Sequence, residues 1–555
     1  MGNSAKKRRV IQKFLLLFFT ITILFGLLFR GFNLTWGSPY FFHPDERNIA
    51  SSVSQLRYPS QMNPHFFAYG TFPIYLTYFT GVSENFISNI LLHTQDNYFI
   101  VDFEKAIIIG RSFSLVLSVL LLILIYHTTK LIGSRKSAIL STSLASLSIG
   151  LIQYAHFSTF EMWLSTLTLL LCYQILLQLR HFSKSGLVNI SFVVGLLISI
   201  KISSLIFIPL VMLFLLFQGF LNLRKSKITF IGIEKLILSC FLFLSLVTVV
   251  VLITSPYYWL SSSEFLSSMS YESEVALGTL PVFYTQAFQN TKPVIYQFLH
   301  VYPFLLNPFI LISLVVLPFF LIKRFSKKLS SNYLLISLFL VVTFFSQAFL
   351  FVKWMRYYIP TLSFIYVLMG LMLGKLIDTN RKRWAIISVL LIFLSYIFAC
   401  AYFTVVLVGK DSRITASNWA SQNISRNNNI LSEVYDLGIV PFNSSFEKNI
   451  VLFNFYDLET EPGKQEELFS LTSRSNYVIL ASQRILQTRL NDRKRFPKGY
   501  VFYTSLFSTS EYKLVYKTPC SMLCKILYLG DTMNRYEQTS NVFDRPEVYI
   551  FKHVN

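Results

Sequence analysis

Over its first 410 residues the chain alternates long apolar runs with short polar interruptions, and then changes character. Many of the runs approach the roughly 20 residues that a helix needs to cross a hydrocarbon core. The pattern predicts eleven spans, at about 11–30, 106–130, 137–154, 161–180, 187–200, 203–221, 234–255, 303–322, 332–351, 357–374 and 385–408. Two longer loops, 31–105 and 256–302, interrupt them. The fifth and sixth runs are short and meet near Lys201; read as one bent helix, they would reverse the parity of everything downstream.

From residue 411 onward polar and apolar positions mix over short distances. Tyr477-Val478-Ile479-Leu480 and Val548-Tyr549-Ile550-Phe551 read as strands, and Ala416 to Ser421, with Trp419, as an amphipathic helix. A segment of that length can bury a core of its own. The expected fold class is mainly α: a polytopic membrane protein of about 11 transmembrane helices over 1–410, with a small α/β or α+β domain over 411–555.

Composition agrees with a membrane setting, at 53% hydrophobic and 14% charged residues in 555. The net charge of +22 raises nucleic acid as a partner, but the placement of the charges excludes it. Lys and Arg gather in short connections: Lys6 to Arg9, Arg135 and Lys136, Arg180 and Lys184, Arg224, Lys225 and Lys227, Lys323, Arg324, Lys327 and Lys328, and Arg381 to Arg383. The loop 31–105 carries only Arg47, Arg57 and Lys105 against six acidic residues. Basic connections stay cytoplasmic. The N-terminus is then inside the cell membrane, with both long loops and 411–555 outside. No small-residue cleavage site follows the first run, which reads as an uncleaved span.

Cys172, Cys240 and Cys400 lie within apolar runs, as small packing residues do. Cys520 and Cys524 lie outside them, and both a bridge and two free thiols are compatible with their spacing. The cysteines form no metal pattern. Residues 411–555 hold no Gly-rich phosphate loop, zinc-ligand spacing or nucleophile elbow.

The candidate chemistry centres on His43-Pro44-Asp45-Glu46, just past the first span. Ionisable groups so near a bilayer are costly and tend to be functional. Pro44 favours an extended His43 and suits the first turn of a helix continuing through Asn48 to Leu56. Asp45 and Glu46 then sit where the helix dipole favours ionised carboxylates. A base held at the membrane surface fits, and so does a plain cap on an interfacial helix.

Further polar groups fall at outer ends of spans: His156 and Glu161 around the turn between the third and fourth spans, Lys201, Lys353 and Arg356, with Arg47 beside the acidic pair. Carboxylates among several cations suit acid–base chemistry on a phosphate-bearing substrate, where cations hold the leaving group and a carboxylate takes a hydroxyl proton. Lys353, Arg356 and His156 also fit simple interface positions.

In this order the motifs resemble the polyprenyl-phosphate-dependent membrane glycosyltransferases of the GT-C fold, the family 39-like group that includes protein O-mannosyltransferases and the lipid A aminoarabinose transferase. His43-Pro44-Asp45-Glu46 resembles that group's first-loop acidic motif, and Ala68-Tyr69-Gly70-Thr71-Phe72-Pro73-Ile74-Tyr75-Leu76 its following element. Gly110-Arg111 opens the second span as in the group. His156 through Glu161 resembles its second acidic element, with Glu where many members carry Asp. Lys353-Trp354-Met355-Arg356-Tyr357-Tyr358-Ile359-Pro360 resembles its Arg-Tyr run. Phe543-Asp544-Arg545-Pro546-Glu547-Val548 resembles a C-terminal element that more often reads Asp-His-Pro.

The resemblance implies sugar transfer from a polyprenyl-phosphate donor to an acceptor hydroxyl on protein, glycan or lipid, with inversion. Asp45 would be the general base, and Glu46 would orient the acceptor or shape the base's surroundings. His43, His156 and Glu161 would belong to the acceptor side or second acidic element. Arg47, Lys201, Lys353 and Arg356 would bind the donor phosphate. Some enzymes of this fold use a divalent metal; nothing in this sequence requires one. A transporter or lipid-linked-sugar flippase is the alternative, but it would more often show inverted repeats and has little use for the segment 411–555.

Overall fold

The structure is a computed structural model, and it describes residues 2–93, 97–226, 230–280, 282–325, 331–434, 437–508 and 510–554. Lys227, Lys327 and Lys328 of the basic connections lie outside the described residues. The chain is dominated by helices, ordered α1 (Gly2–Gly31), α2 (Pro44–Gln55), α3 (Phe72–Leu92), α4 (Phe103–Ile132), α5 (Arg135–Ser146), α6 (Ile149–Ala155), α7 (Glu161–Arg180), α8 (Lys184–Ile200), α9 (Phe207–Ser226) and α10 (Phe230–Thr254). Then come α11 (Tyr257–Leu260), α12 (Ser262–Leu277), α13 (Tyr302–Leu305), α14 (Pro308–Phe325), α15 (Ser331–Ala348), α16 (Ile359–Thr379), α17 (Arg381–Tyr402) and α18 (Ser412–Asn423).

Among the described residues six helical stretches are long and apolar enough to cross a membrane: Phe103–Ile132, Glu161–Arg180, Ile202–Phe220, Glu234–Thr254, Met355–Thr379 and Lys382–Leu407. Two bent pairs pass the same test, α5 with α6 (60°) and Gln297–Leu305 with Pro308–Leu321 (114°). Leu17–Gly31, Lys184–Ile200 and Asn332–Ala348 are shorter apolar helices. The eleven expected spans overlap these elements, but only the six helices and the two bent pairs are long and apolar enough to cross and the other three are shorter; the protein is an integral membrane protein. Two expectations change in detail. The third span is not straight but breaks at Leu147-Ser148, where the Ser148 hydroxyl accepts from the Leu151 N–H and restarts the helix. The eighth begins earlier than 303 and turns sharply before Pro308.

The fifth and sixth spans are separate helices. Lys201 ends α8 in an extended conformation (φ −156°, ψ 124°), and a 3-10 turn, Ile202–Ile206, leads into α9.

Within the bundle α16 is central, with 83% of its apolar window buried, whereas only 17% of the corresponding window of Glu234–Thr254 is covered. Its Leu362, Phe364, Ile365 and Tyr366 join Leu144, Leu169 and Leu305 in the main core. The long loop after α1 is not irregular: α2 and α3 pack in it around Ile49, Val53, Leu56, Ile74 and Tyr78.

Beyond α17 the chain forms a five-stranded sheet of β1 (Ile430–Glu433), β2 (Ile450–Phe453), β3 (Tyr477–Leu480), β4 (Tyr512–Lys517) and β5 (Tyr549–His553), in the order β2-β1-β3-β5-β4. β2, β1 and β3 are parallel, and β5 is antiparallel to β3 and β4. The expected strands at 477–480 and 548–551 pair directly, with Ile479 opposite Ile550. Cys520 and Cys524 form a disulfide, Cα atoms 5.3 Å apart.

This unit is stitched onto the bundle. Tyr402 at the end of α17 and Gln153 on α6 both donate to Asp544 Oδ2, at 2.9 Å each. The Met355 N–H donates to Glu537 (3.1 Å), and the Glu537 N–H donates to the His300 carbonyl (3.0 Å).

Candidate active site

Chain direction places the polar residues at one end of the helices. Arg111 lies near the start of α4, Glu161 starts α7, Lys201 follows α8 and Arg356 precedes α16. The opposite ends of these helices carry Lys130, Arg180, Lys184 and the Lys136–Asp378 ion pair (3.2 Å).

Asp45 sits in the first turn of α2, with Pro44 opening the helix and His43 extended (φ −76°, ψ 116°), as the sequence suggests. Its Oδ2 forms an ion pair with Arg356 Nη1 and accepts from the Tyr69 hydroxyl (3.2 Å). Arg356 Nη1 also donates to that hydroxyl at 2.8 Å. Both charged side chains remain 22% exposed, so the pair lies at an opening and not in the core. Burial pushes the Asp45 carboxyl up, but Arg356, His43 and the Tyr69 hydrogen bond outweigh it and hold it below its usual value.

Glu46, the adjacent residue, points the other way. It is fully buried in a forked pair with Arg111, at 2.8 Å from Nε and 2.6 Å from Nη2. The Ser158 N–H donates to it at 2.5 Å. Arg111 in turn donates to the Leu34 and Trp36 carbonyls (2.7 and 2.8 Å) and lies 4.4 Å from the Trp36 ring centre. This network fixes α2, the loop after α1 and the turn at 158 to α4. Gly110 permits it, because a Cβ there would stand 1.8 Å from Ser158 Oγ.

Gly70 works similarly. Its N–H donates to the Ile200 carbonyl (2.8 Å), and a Cβ would meet the Ser199 carbonyl oxygen at 2.0 Å. That close approach brings Tyr69 beside the end of α8 and Lys201. The Lys201 Nζ lies 4.5 Å from the Tyr357 ring centre, and Arg356 lies 5.7 Å from the same ring and 4.5 Å from that of Trp354. Lys201 makes no ion pair among the described residues. Glu161 is buried, and its Oε2 has no hydrogen-bond partner among them. Both Arg356 and Lys201 are within its electrostatic reach.

Four candidates are placed elsewhere. Lys353 is buried and donates to the Phe351 carbonyl at 2.9 Å; it does not join the cluster. Arg47 is half-buried on α2 and pairs with no described acid. His156 spends both ring nitrogens on backbone, facing the Ile152 and Phe32 carbonyls at 2.8 and 2.9 Å. His43 is buried between Phe157 (4.5 Å) and Phe543 (4.2 Å), and burial lowers its pKa.

Sequence reasoning did not single out five contributors. Tyr69 and Arg111 lay inside quoted motifs, and that was their signal. Glu272 on α12 is within electrostatic reach of Arg356, Lys201 and Asp45. Arg484 acts on Asp45 and Glu537 from the segment after β3. Nothing local in the sequence marks Glu272, Arg484 or Glu537. Among the described residues no three His, Cys, Asp or Glu side chains converge as a metal site would need. A guanidinium holds Asp45 instead, so this set does not fit a divalent ion.

No family model and no curated protein matches the chain. Among solved structures it is similar to the oligosaccharyltransferase of Archaeoglobus fulgidus in its apo form (11% identity, TM-score 0.48, covering 97% of this chain and 88% of that one). It is equally similar in identity to that enzyme, AglB, in complex with an inhibitory peptide and a dolichol-phosphate (11%, TM-score 0.47, the same coverage). ArnT from Cupriavidus metallidurans in the apo state is similar at 13% identity and TM-score 0.46, covering 91% of this chain and 96% of that one.

Proposed function

We propose that this protein is a membrane glycosyltransferase that moves a sugar from a polyprenyl-phosphate donor to an acceptor hydroxyl, with inversion and with Asp45 as general base. The observation that carries the reading is a partly open carboxylate, Asp45, joined to Arg356 beside a second cation, Lys201, that makes no ion pair among the described residues.

Asp45 neutralises Arg356, but Lys201 against the same ring touches no acid among the described residues and leaves room for a further anion. A lipid phosphate is such an anion. Its charge grows as the bond from the anomeric carbon to the phosphate oxygen breaks, so Arg356 and Lys201 bind the departing phosphate more strongly than the intact donor. In the same step the acceptor oxygen bonds to the anomeric carbon from the opposite face, and its proton passes to Asp45.

The ion pair also explains the timing. While Arg356 holds Asp45, the carboxylate is a weak base. A phosphate that draws Arg356 away raises the proton affinity of Asp45 only when donor is present. Glu46 and Arg111 hold α2 rigid, which keeps Asp45 in place. Glu161, with its free oxygen, accepts a hydroxyl from sugar or acceptor. Arg47 and Lys353 have no part in this step, and His43 and His156 act as packing and tethering groups.

In this reading residues 1–410 form the transferase domain of the cell membrane, with the N-terminus cytoplasmic. Residues 411–555 form an outer domain. The test is mass spectrometry of cell-envelope glycans from cells carrying the active protein or Asp45→Asn. The expected result is a sugar present with the first and absent with the second. Identical glycans in both, with no donor consumed in vitro, would refute the transferase reading.

A further inference from the structure

A cavity of about 390 Å³ lies where the loop after α1, the end of α17 and the segment around Asp544 meet. That size falls within the range of about 300–1,000 Å³ common for small-ligand sites. Trp36, Phe157 and Tyr402 form its aromatic walls, and Thr35 and Lys410 stand at its exposed side. It is distinct from the phosphate cluster: Phe157 packs on His43, and His43 packs on Phe543, so an aromatic layer stands between this cavity and Asp45.

Asp544 is the buried polar group of the wall, 7% exposed. Its Oδ2 already accepts from Gln153 and Tyr402, but its Oδ1 has no hydrogen-bond partner among the described residues. An unmet buried acceptor is costly, and a ligand that donates would relieve it. The cavity's one lysine, Lys410, is exposed, and its other acid, Asp411, is already paired with Arg413. The lining therefore disfavours a phosphate and suits groups that donate hydrogen bonds beside aromatic surface.

We propose that this cavity is a sugar subsite, taking a ring of a glycan acceptor at a distance from the hydroxyl that reacts, with Asp544 Oδ1 accepting from its O–H or N–H groups. The proposal rests on the transferase reading for the word acceptor, but the binding itself does not.

The test uses the full chain in lipid nanodiscs and ligand-observed NMR. The probes are maltotriose as a neutral sugar, the disaccharide of glucosamine as an amino sugar, and glycerol phosphate as an anionic polyol. At least one sugar should bind the wild type and Asp45→Asn alike, and glycerol phosphate should not bind. The tighter of the two sugars identifies hydroxyl or ammonium as the preferred donor. Asp544→Asn keeps the bonds from Gln153 and Tyr402 but turns the free acceptor into a donor, and should weaken binding tenfold or more. Thr35→Trp changes an exposed residue at the mouth and should block binding without touching the buried network, so it decides the matter if Asp544→Asn folds poorly. Failure of both sugars to bind, or binding that survives Thr35→Trp, would overturn the subsite. A wild type that binds sugar here yet consumes no polyprenyl-phosphate donor would refute the transferase reading alone.

Discussion

Arg356 and Asp45, 311 positions apart in the chain, share one ion pair, and the hydroxyl of Tyr69 bonds to both. The helix that carries the carboxylate and the turn that carries the guanidinium come from opposite ends of the membrane segment. Their meeting defines a site that no local stretch of sequence contains.

Asp45→Asn keeps the shape of the side chain and removes the proton acceptor. Transfer should fall by on the order of 10²–10⁴, while the melting temperature stays near that of the wild type. Glu46→Gln should lose less transfer but destabilise, because Arg111 is left buried without its counter-charge; breaking such pairs costs about 3–5 kcal/mol. Turnover and melting temperature on both variants check this. Wild-type turnover in Asp45→Asn would remove Asp45 as base.

Lys201→Met removes a cation that has no acidic partner among the described residues. Donor affinity should drop much more than acceptor affinity, with the melting temperature of the empty protein unchanged or higher. A fall in that melting temperature would point instead to a carboxylate partner, and unchanged affinity would make Lys201 an interface residue.

Gly70→Ala tests how the site is assembled. A Cβ at 2.0 Å from the Ser199 carbonyl oxygen forces the loop off the end of α8 and separates Tyr69 from Lys201. Both stability and donor affinity should suffer. An alanine variant with wild-type affinity would show that this approach does not position the cluster.

Asp544 makes stability depend on pH. Burial holds its carboxyl up at about 6, against an unfolded value of about 3.9. A carboxyl raised in the folded state contributes stability that is fully present below the unfolded value. That contribution is lost as pH rises through 6. Arg413 acts on it electrostatically, and Lys410, Asp411 and His156 line the same cavity, so other groups titrate nearby. The difference between wild type and Asp544→Asn isolates the effect. Thermal melts from pH 4.5 to 7.5 should converge above pH 6 less well than below it, with the wild type losing ground as pH rises. Parallel curves would exclude the assignment.

The spans were legible because a bilayer demands apolar runs of set length, a constraint that acts along the chain. The breaks inside the third and eighth spans were not, since a single serine cap or asparagine turn decides them locally. Asp45 stood out because two carboxylates beside a span are rare. Glu46 looked equivalent to it and differs only by facing inward, which depends on Arg111, 65 positions away. Lys353 and Arg356 also looked alike. The 3-10 turn Met355–Tyr358 sends one toward Asp45 and leaves the other on a backbone carbonyl. Glu272 and Arg484 reach the site through folding of distant segments, which no period or motif records.

The bond from the Met355 N–H to Glu537 reaches the residue next to Arg356, so the segment after β4 helps set the position of the guanidinium. The C-terminal unit is thus not an interchangeable module. A chimera that grafts a foreign C-terminal unit onto these helices would need to carry residues 353–358 and 537–544 as one block. Exchange at residue 410 alone would separate parts that are bonded into a single piece.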